Sequence, residues 1–290
     1  MQYEESRLDI PPSWEQIDYP GLRGTLLVVG APDVGKTTFA QFLYRRLHAV
    51  LGSSIAYLDG DPGQSSLGPP TTMTLAFNLT GHASLWRYFV GALSPRGHML
   101  PTLVGAARLI RLAGEEGARA VVYDTSGLIA PDQGGLALKS AKIDLLQPPV
   151  VFAIQREEEL EPLLVPLRRS GRSRVVSLRP SPAVRRRDTP ERRSHRTNQF
   201  ADYFAGAHTL LVDWRKLAVF PFPRFSLHRL VALENRDGFT LALGIVVNIE
   251  RNQRQVKLKT PLPSLDRVNA IRLGDVLIDP HTYQDVKLGE

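Results

Sequence analysis

The stretch Gly30-Ala31-Pro32-Asp33-Val34-Gly35-Lys36-Thr37 matches G-x-x-x-x-G-K-[ST], a loop built to wrap a polyphosphate. The apolar run Thr25-Leu26-Leu27-Val28-Val29 before it reads as a strand. After it, Thr38 to Leu51 has helical spacing that gathers Phe39, Phe42, Leu43 and Leu47 on one face. Glycines at 30 and 35 let backbone N–H groups close on phosphate with no Cβ in the way, and the helix start adds partial positive charge. Lys36 has the reach for β- and γ-phosphates, and the Thr37 hydroxyl suits Mg2+. A chance match in a glycine-containing turn would carry neither flank. The spacing therefore predicts a nucleoside triphosphate site formed by Gly30, Asp33, Val34, Gly35, Lys36, Thr37 and Thr38.

Short apolar runs and helical segments alternate around this loop. Strands are expected at Ser54–Asp59, Ala120–Asp124, Val150–Ile154 and Arg174–Leu178, with helices at Leu103–Ala113, Gly135–Leu146 and Glu157–Arg169. That order predicts an α/β fold, a P-loop NTPase with a mostly parallel sheet sandwiched by helices. The connection from Asp61 to Pro101 is long enough to suggest a functional segment rather than plain linker. Beyond Gly206, short strands at Leu230–Leu233, Thr240–Asn248, Gln255–Lys259 and Val276–Ile278 read as a small β-rich domain. The expected organisation is an irregular lead-in over 1–21, a P-loop domain over 22–208 with an arginine-rich lid near 180–200, and a β-rich domain over 209–290.

With 290 residues, the chain can bury a sizeable core. It has no cysteine, which excludes disulfides, a thiolate nucleophile and cysteine-held metal. Its seven histidines show no metal-ligand spacing. No apolar run is long enough to span a bilayer and the N-terminus is polar, so a cytoplasmic protein is expected. The net charge of +7 is compatible with a nucleic-acid partner without requiring one.

Three constellations carry chemistry. The second strand ends in Asp59-Gly60-Asp61-Pro62-Gly63-Gln64; carboxylates past a strand end beside a phosphate loop can serve Mg2+ or accept a proton from an attacking hydroxyl. The same composition also makes ordinary turns. The third strand ends in Asp124-Thr125-Ser126-Gly127. An Asp there holds Mg2+ or its water shell in P-loop enzymes, and the residues after it can sense γ-phosphate or position substrate. A plain strand-end cap is the bland reading. Finally, Arg185, Arg186, Arg187, Arg192, Arg193 and Arg196 crowd one segment. They read as a solvated face, as a phosphate-tracking patch, or as a lid that closes on a transferring phosphoryl group.

Taken in order, the phosphate loop, Asp-x-Asp-Pro-Gly-Gln, Phe89-Val90-Gly91-Ala92-Leu93-Ser94-Pro95-Arg96-Gly97-His98, Asp-Thr-Ser-Gly and an arginine run closing on Tyr203-Phe204-Ala205-Gly206 resemble the polynucleotide 5′-hydroxyl kinases. This P-loop family includes the kinase subunit of the pre-mRNA cleavage complex and the nucleolar pre-rRNA-processing kinase. The resemblance covers about residues 22–206. It implies transfer of the ATP γ-phosphate to the 5′-OH end of RNA and/or DNA, with Mg2+. It further implies that Lys36 and Thr37 serve the triphosphate and metal, with Asp59 and Asp124 as further metal residues. Asp61 orients or deprotonates the hydroxyl, and Gln64 helps hold the terminal nucleotide. Arg96, His98, Thr125 and Ser126 meet the polynucleotide. Arg187 and Arg192 match the lid arginines, with Arg186 and Arg193 one residue away. Two departures stand out. Only about twenty residues precede the first strand, where eukaryotic members carry a β domain. Leu128 stands where they place a base-stacking tryptophan, leaving Trp86, Tyr88 or Phe89 as substitutes.

Two other readings remain: a nucleotide-switched ATPase or GTPase of the partitioning or metallochaperone type, and a catalytically silent nucleic-acid-binding scaffold. The first commonly has an extra lysine early in the loop, where this chain has Ala31-Pro32, and has no use for an arginine lid. The intact Lys36, Thr37 and Asp61 speak against the second.

Overall fold

The computed structural model describes residues 10–79 and 85–287. The first nine residues of the expected lead-in lie outside the described residues. The remainder includes a single helical turn, α1 (Pro12–Glu15), whose Trp14 is buried with its ring 5.0 Å from Phe39 and 5.5 Å from Phe42.

The elements follow as β1 (Gly24–Gly30), α2 (Lys36–Leu51), β2 (Ile55–Gly60), β3 (Thr72–Ala76), β4 (Leu85–Phe89), α3 (Met99–Glu115), β5 (Ala120–Thr125), α4 (Gly135–Leu146), β6 (Val150–Ile154), α5 (Glu161–Ser170) and β7 (Arg174–Leu178). Their strands form one seven-stranded sheet in the order β4-β3-β2-β5-β1-β6-β7. β1 pairs in parallel with β5 and β6, and β6 with β7, as strands joined through helices must. The fold is thus an α/β P-loop NTPase fold with a mostly parallel sheet. In β1, Leu26 to Val29 are fully buried, which explains their uninterrupted apolar run: both sheet faces are covered. α2 buries Phe39, Phe42, Leu43 and Leu47, the face its spacing predicts.

The later elements are α6 (Thr189–Tyr203), β8 (His208–Asp213), β9 (Ala218–Phe220), β10 (Arg229–Glu234), β11 (Thr240–Glu250), β12 (Gln255–Thr260), β13 (Ala270–Ile278) and β14 (Asp285–Lys287). A second sheet runs β14-β13-β10-β11-β12-β8, with β9 alongside β13. Alternate residues of β10 feed two apolar clusters. Val231 and Leu233 pack with Val246, Val256 and Ile271, while Leu230 and Ala232 pack with Phe200, Phe204, Leu243 and Ile245. Because both faces are covered, Leu-Val-Ala-Leu reads as a continuous apolar run instead of an alternation.

The chain divides into two compact units that do not follow chain order, whereas the sequence reading separates domains at residues 208 and 209. The first comprises the described residues within Met1–Leu58, Ala76–Ala83 and Ile110–Arg187. The second comprises those within Asp59–Leu75, Ser84–Leu109 and Asp188–Glu290.

Candidate active site

In the first unit, Gly30 ends β1 where a Cβ would lie 2.6 Å from the Ile154 carbonyl oxygen and 2.7 Å from Val34 Cγ2, so no larger residue fits. Gly35 adopts φ +87°, a conformation that favours glycine. Asp33 also sits in the left-handed region at φ 51°, which Asp tolerates better than most residues. Lys36 is buried and its Nζ donates to the Ala31 carbonyl at 2.7 Å, which folds the ammonium back over the loop. Val34 is buried beneath the loop, while Thr38 is exposed on the first turn of α2. The Thr37 hydroxyl donates to Asp124 Oδ2 at 2.6 Å, which joins the loop to the end of β5. The Tyr57 hydroxyl approaches the same oxygen at 3.4 Å.

Beyond Asp124, Thr125 and Ser126 are both buried. Thr125 Oγ1 donates to the Val28 carbonyl and accepts from Lys139 Nζ, each at 2.7 Å; Lys139 also donates to the Ser126 carbonyl at 2.5 Å. Those bonds make the Thr125 side chain a strut between strands. The sequence reading misses Lys139, since a helical lysine ordinarily faces water. It also misses Arg156, whose guanidinium donates to the Asp33 carbonyl. Arg187 belongs to this unit too. Its N–H donates to Asp33 Oδ2 at 3.2 Å, and its Nε lies 3.7 Å from Oδ1.

In the second unit, the Asp59–Gln64 loop and α6 meet. Asp59 is buried, and its Oδ2 accepts from Ser65 Oγ at 2.8 Å, Ser66 N at 2.5 Å, Ser66 Oγ at 3.1 Å and Leu67 N at 3.0 Å. Its Oδ1 accepts from Asp61 N at 3.2 Å. These bonds give Asp59 a loop-closing role. Burial pushes its carboxyl above the usual carboxylate range, against the pull of the Ser66 and Ser65 donors. Asp61 Oδ1 caps the Gly63 and Gln64 N–H groups at 2.9 and 3.0 Å. Gly63 cannot be enlarged, because a Cβ there would lie 2.2 Å from the Leu93 carbonyl oxygen. Gln64 Nε2 donates to the Gly63 carbonyl at 2.7 Å and to the Arg192 carbonyl at 3.4 Å; Gln199 Nε2 donates to the Ser65 carbonyl at 2.6 Å. Asp61, Gln64 and Arg192 are thus gathered on one loop–helix contact.

The arginine run is ordered. Asp188 caps α6 in a reciprocal capping box with Glu191. Arg196 pairs with the buried Asp285 carboxylate at 3.1 and 3.2 Å, and Arg193 reaches the Asp285 carbonyl at 3.5 Å. These contacts turn Arg193 and Arg196 toward β14. Arg96 is exposed. His98 Nε2 lies 3.0 Å from Asp275 Oδ2. Of the aromatic substitutes for the missing tryptophan, Phe89 is buried in the cluster with Phe200 and Phe204 and offers no stacking face. Trp86 packs edge-on against Phe239 at 5.5 Å.

The fold and the cradle define a P-loop nucleotide-binding protein. The chain belongs to the mRNA cleavage and polyadenylation factor CLP1 P-loop family, whose model matches residues 30–206. It is 32% identical to a polyribonucleotide 5′-hydroxyl-kinase of Thermococcus kodakarensis, with 88% of each chain covered. It is 26% identical to one of Pyrococcus furiosus, with 87% of each covered. A solved complex of wild-type Clp1p with Pcf11p shares the fold at a TM-score of 0.69 and 14% identity, over 89% of this chain and 75% of that one. Among the described residues, no helix is long and apolar enough to cross a membrane.

Proposed function

We propose that this chain is an ATP-dependent polynucleotide 5′-hydroxyl kinase acting on 5′-OH ends of RNA and/or DNA. The observation that carries the reading is the phosphate cradle, with Thr37 joined to Asp124 at 2.6 Å, in a chain whose family relatives are named polyribonucleotide 5′-hydroxyl-kinases. Family membership and the Ala31-Pro32 of the loop favour transfer over a nucleotide switch.

The hydroxyl and carboxylate oxygens of Thr37 and Asp124 are the hard donors that Mg2+ prefers, and these two residues would hold it. Bound there, Mg2+ would supply positive charge to the triphosphate oxygens. ATP is a substrate. The backbone N–H groups from Asp33 to Thr38 receive its phosphates, and Lys36 leaves the Ala31 carbonyl for a phosphate oxygen. The 5′-oxygen attacks the γ-phosphorus, the bond to the β,γ-bridging oxygen breaks, and ADP departs. Asp61 accepts the proton of the attacking hydroxyl, and Gln64 orients the terminal nucleotide. Arg187 and Arg192 neutralise charge on the transferring group, as arginines do in loose phosphoryl-transfer transition states. Asp59 closes the loop that presents Asp61.

Offering γ-labelled ATP with 5′-hydroxyl RNA and DNA oligomers, beside 5′-phosphorylated controls, tests the reading. Label should pass to the 5′-hydroxyl ends alone. If neither 5′-hydroxyl substrate takes up label, the chain is not a kinase of this class.

A further inference from the structure

The second unit holds a surface that the transfer chemistry does not use. The segment Phe220-Pro221-Phe222-Pro223-Arg224 leaves β9 with Phe220 42% and Phe222 48% exposed, unusual for rings of that size. A guanidinium lies over each. Arg272 stands 4.8 Å from the Phe220 centroid and Arg224 5.0 Å from the Phe222 centroid. The first pairing is built into the sheet, where Phe220 is the register partner of Arg272. Arg272 is also pinned by the buried Glu234 carboxylate at 2.7 and 3.1 Å, so its plane is fixed beside the ring.

Beside the Phe220 ring opens a cavity of about 370 Å3, lined by Tyr88, His98, Phe220, Pro221, Arg272 and Asp275 among others. Its volume suits a flat heterocycle. The walls supply ring faces and a guanidinium plane. The edge supplies hydrogen-bonding groups, with Asp275 held between His98 at 3.0 Å and Arg229 at 3.1 Å. Arg229 offsets the Asp275 charge, and Glu234 offsets that of Arg272. Arg224 has no ion-pair partner among the described residues, so its charge is available to a phosphate.

Flat faces with a polar rim and one uncommitted cation match a nucleobase on a phosphodiester chain. We propose that Phe220, Phe222 and Arg224, with the adjoining cavity, form a base-stacking subsite for single-stranded polynucleotide. The inference deepens the kinase reading and rests on it for the class of ligand. Stacking is tolerant of base identity, so the subsite adds affinity without sequence preference.

The test uses the whole chain with a labelled single strand of about fifteen nucleotides and an abasic strand of the same length, read by fluorescence anisotropy. Wild type should bind the base-bearing strand more tightly. The variants Phe220→Leu and Phe222→Leu keep apolar volume but lose the ring. Each should weaken the base-bearing strand about tenfold, leave the abasic strand within about twofold, and leave turnover at saturating oligomer unchanged. Phe222→Tyr should restore binding. Arg224→Ala should lower the salt slope by roughly one unit. Equal affinity of wild type and the Leu variants for the base-bearing strand overturns the proposal, including the case where the patch docks a protein. So does an equal loss on both strands. Absence of phosphoryl transfer by wild type, with base discrimination intact, overturns the kinase reading alone.

Discussion

Arg187 donates its backbone N–H to the Asp33 carboxylate at 3.2 Å and holds its Nε 3.7 Å from the same group, which ties Arg187 to the phosphate loop. The Arg187 side chain is 46% exposed, so the pair is worth no more than about 1 kcal/mol and a bound phosphate can displace it. Arg196 is different, because its partner Asp285 is 6% exposed. Arg187→Ala and Arg192→Ala should therefore cut turnover by about 10³-fold or more with little change in melting temperature. Arg196→Ala should instead strand a buried carboxylate and cost about 3–5 kcal/mol of stability. Thermal unfolding and single-turnover rates on the three proteins separate the roles; a stable Arg187→Ala protein with full turnover removes that arginine from the chemistry.

The phosphate cradle yields a second prediction. A methyl group at position 30 would press on the Ile154 carbonyl and Val34, so Gly30→Ala should abolish ATP binding by distorting the loop. Lys36→Ala should keep the fold and lose transfer, because the ammonium folds over the loop onto the Ala31 carbonyl and serves the ligand. Asp124→Asn should raise the Mg2+ concentration needed for half-maximal rate, and chelation of Mg2+ should silence every variant. Titrating ATP and Mg2+ against rate checks all of these. A rate indifferent to chelator would exclude the metal.

Much of this arrangement was legible in the sequence, where local pattern and tertiary role agree. β1, β5, β6 and β7 are apolar runs beside helices, and they form where those runs fall. β3 was not legible: Thr72-Met73-Thr74-Leu75-Ala76 looks like loop, yet Thr72 and Thr74 are fully buried, and Thr72 Oγ1 satisfies itself on the Pro69 carbonyl. The start of α6 is written as Asp188-Thr189-Pro190-Glu191, a capping box set among arginines whose charge masks the helical pattern. Asp59 and Asp61 look equivalent in a row of letters. Only the chain's return through Ser65, Ser66 and Leu67 consigns one of them to closing a loop. The role of Lys139 on α4 has no local signal, since it depends on Thr125 and Ser126 at the end of β5.

That distinction gives Asp59 a pH signature. Burial raises its carboxyl above the ordinary range, so the folded chain holds the proton more tightly than the unfolded chain. The contribution to stability is then fully present below the unfolded-state pKa and is lost as pH rises through the folded-state value. Asp59→Asn places an amide among N–H and O–H donors and should cost about 1–3 kcal/mol at neutral pH. The stability gap between wild type and Asp59→Asn should widen as pH falls through that window. Denaturant midpoints at several acidic pH values measure it, and a gap that stays constant would show that Asp59 binds no extra proton on folding.

Asp61 makes the sharpest chemical prediction, because its side chain accepts through Oδ1 from the Gly63 and Gln64 N–H groups. Asp61→Asn preserves an oxygen acceptor for that cap, so the loop should keep its shape and Asp59 its partners. What it removes is the negative charge that takes up the hydroxyl proton. Turnover should fall by about 10²–10⁴-fold, the usual scale of general-base catalysis, while the ATP dissociation constant stays within about twofold. Raising pH should recover little, since the amide does not titrate. A Gln64→Ala variant offers the contrast: it leaves the base in place and should raise KM for the oligomer more than it lowers kcat. If Asp61→Asn loses ATP binding together with turnover, the residue belongs to the nucleotide and metal site, and the proton must leave by another path.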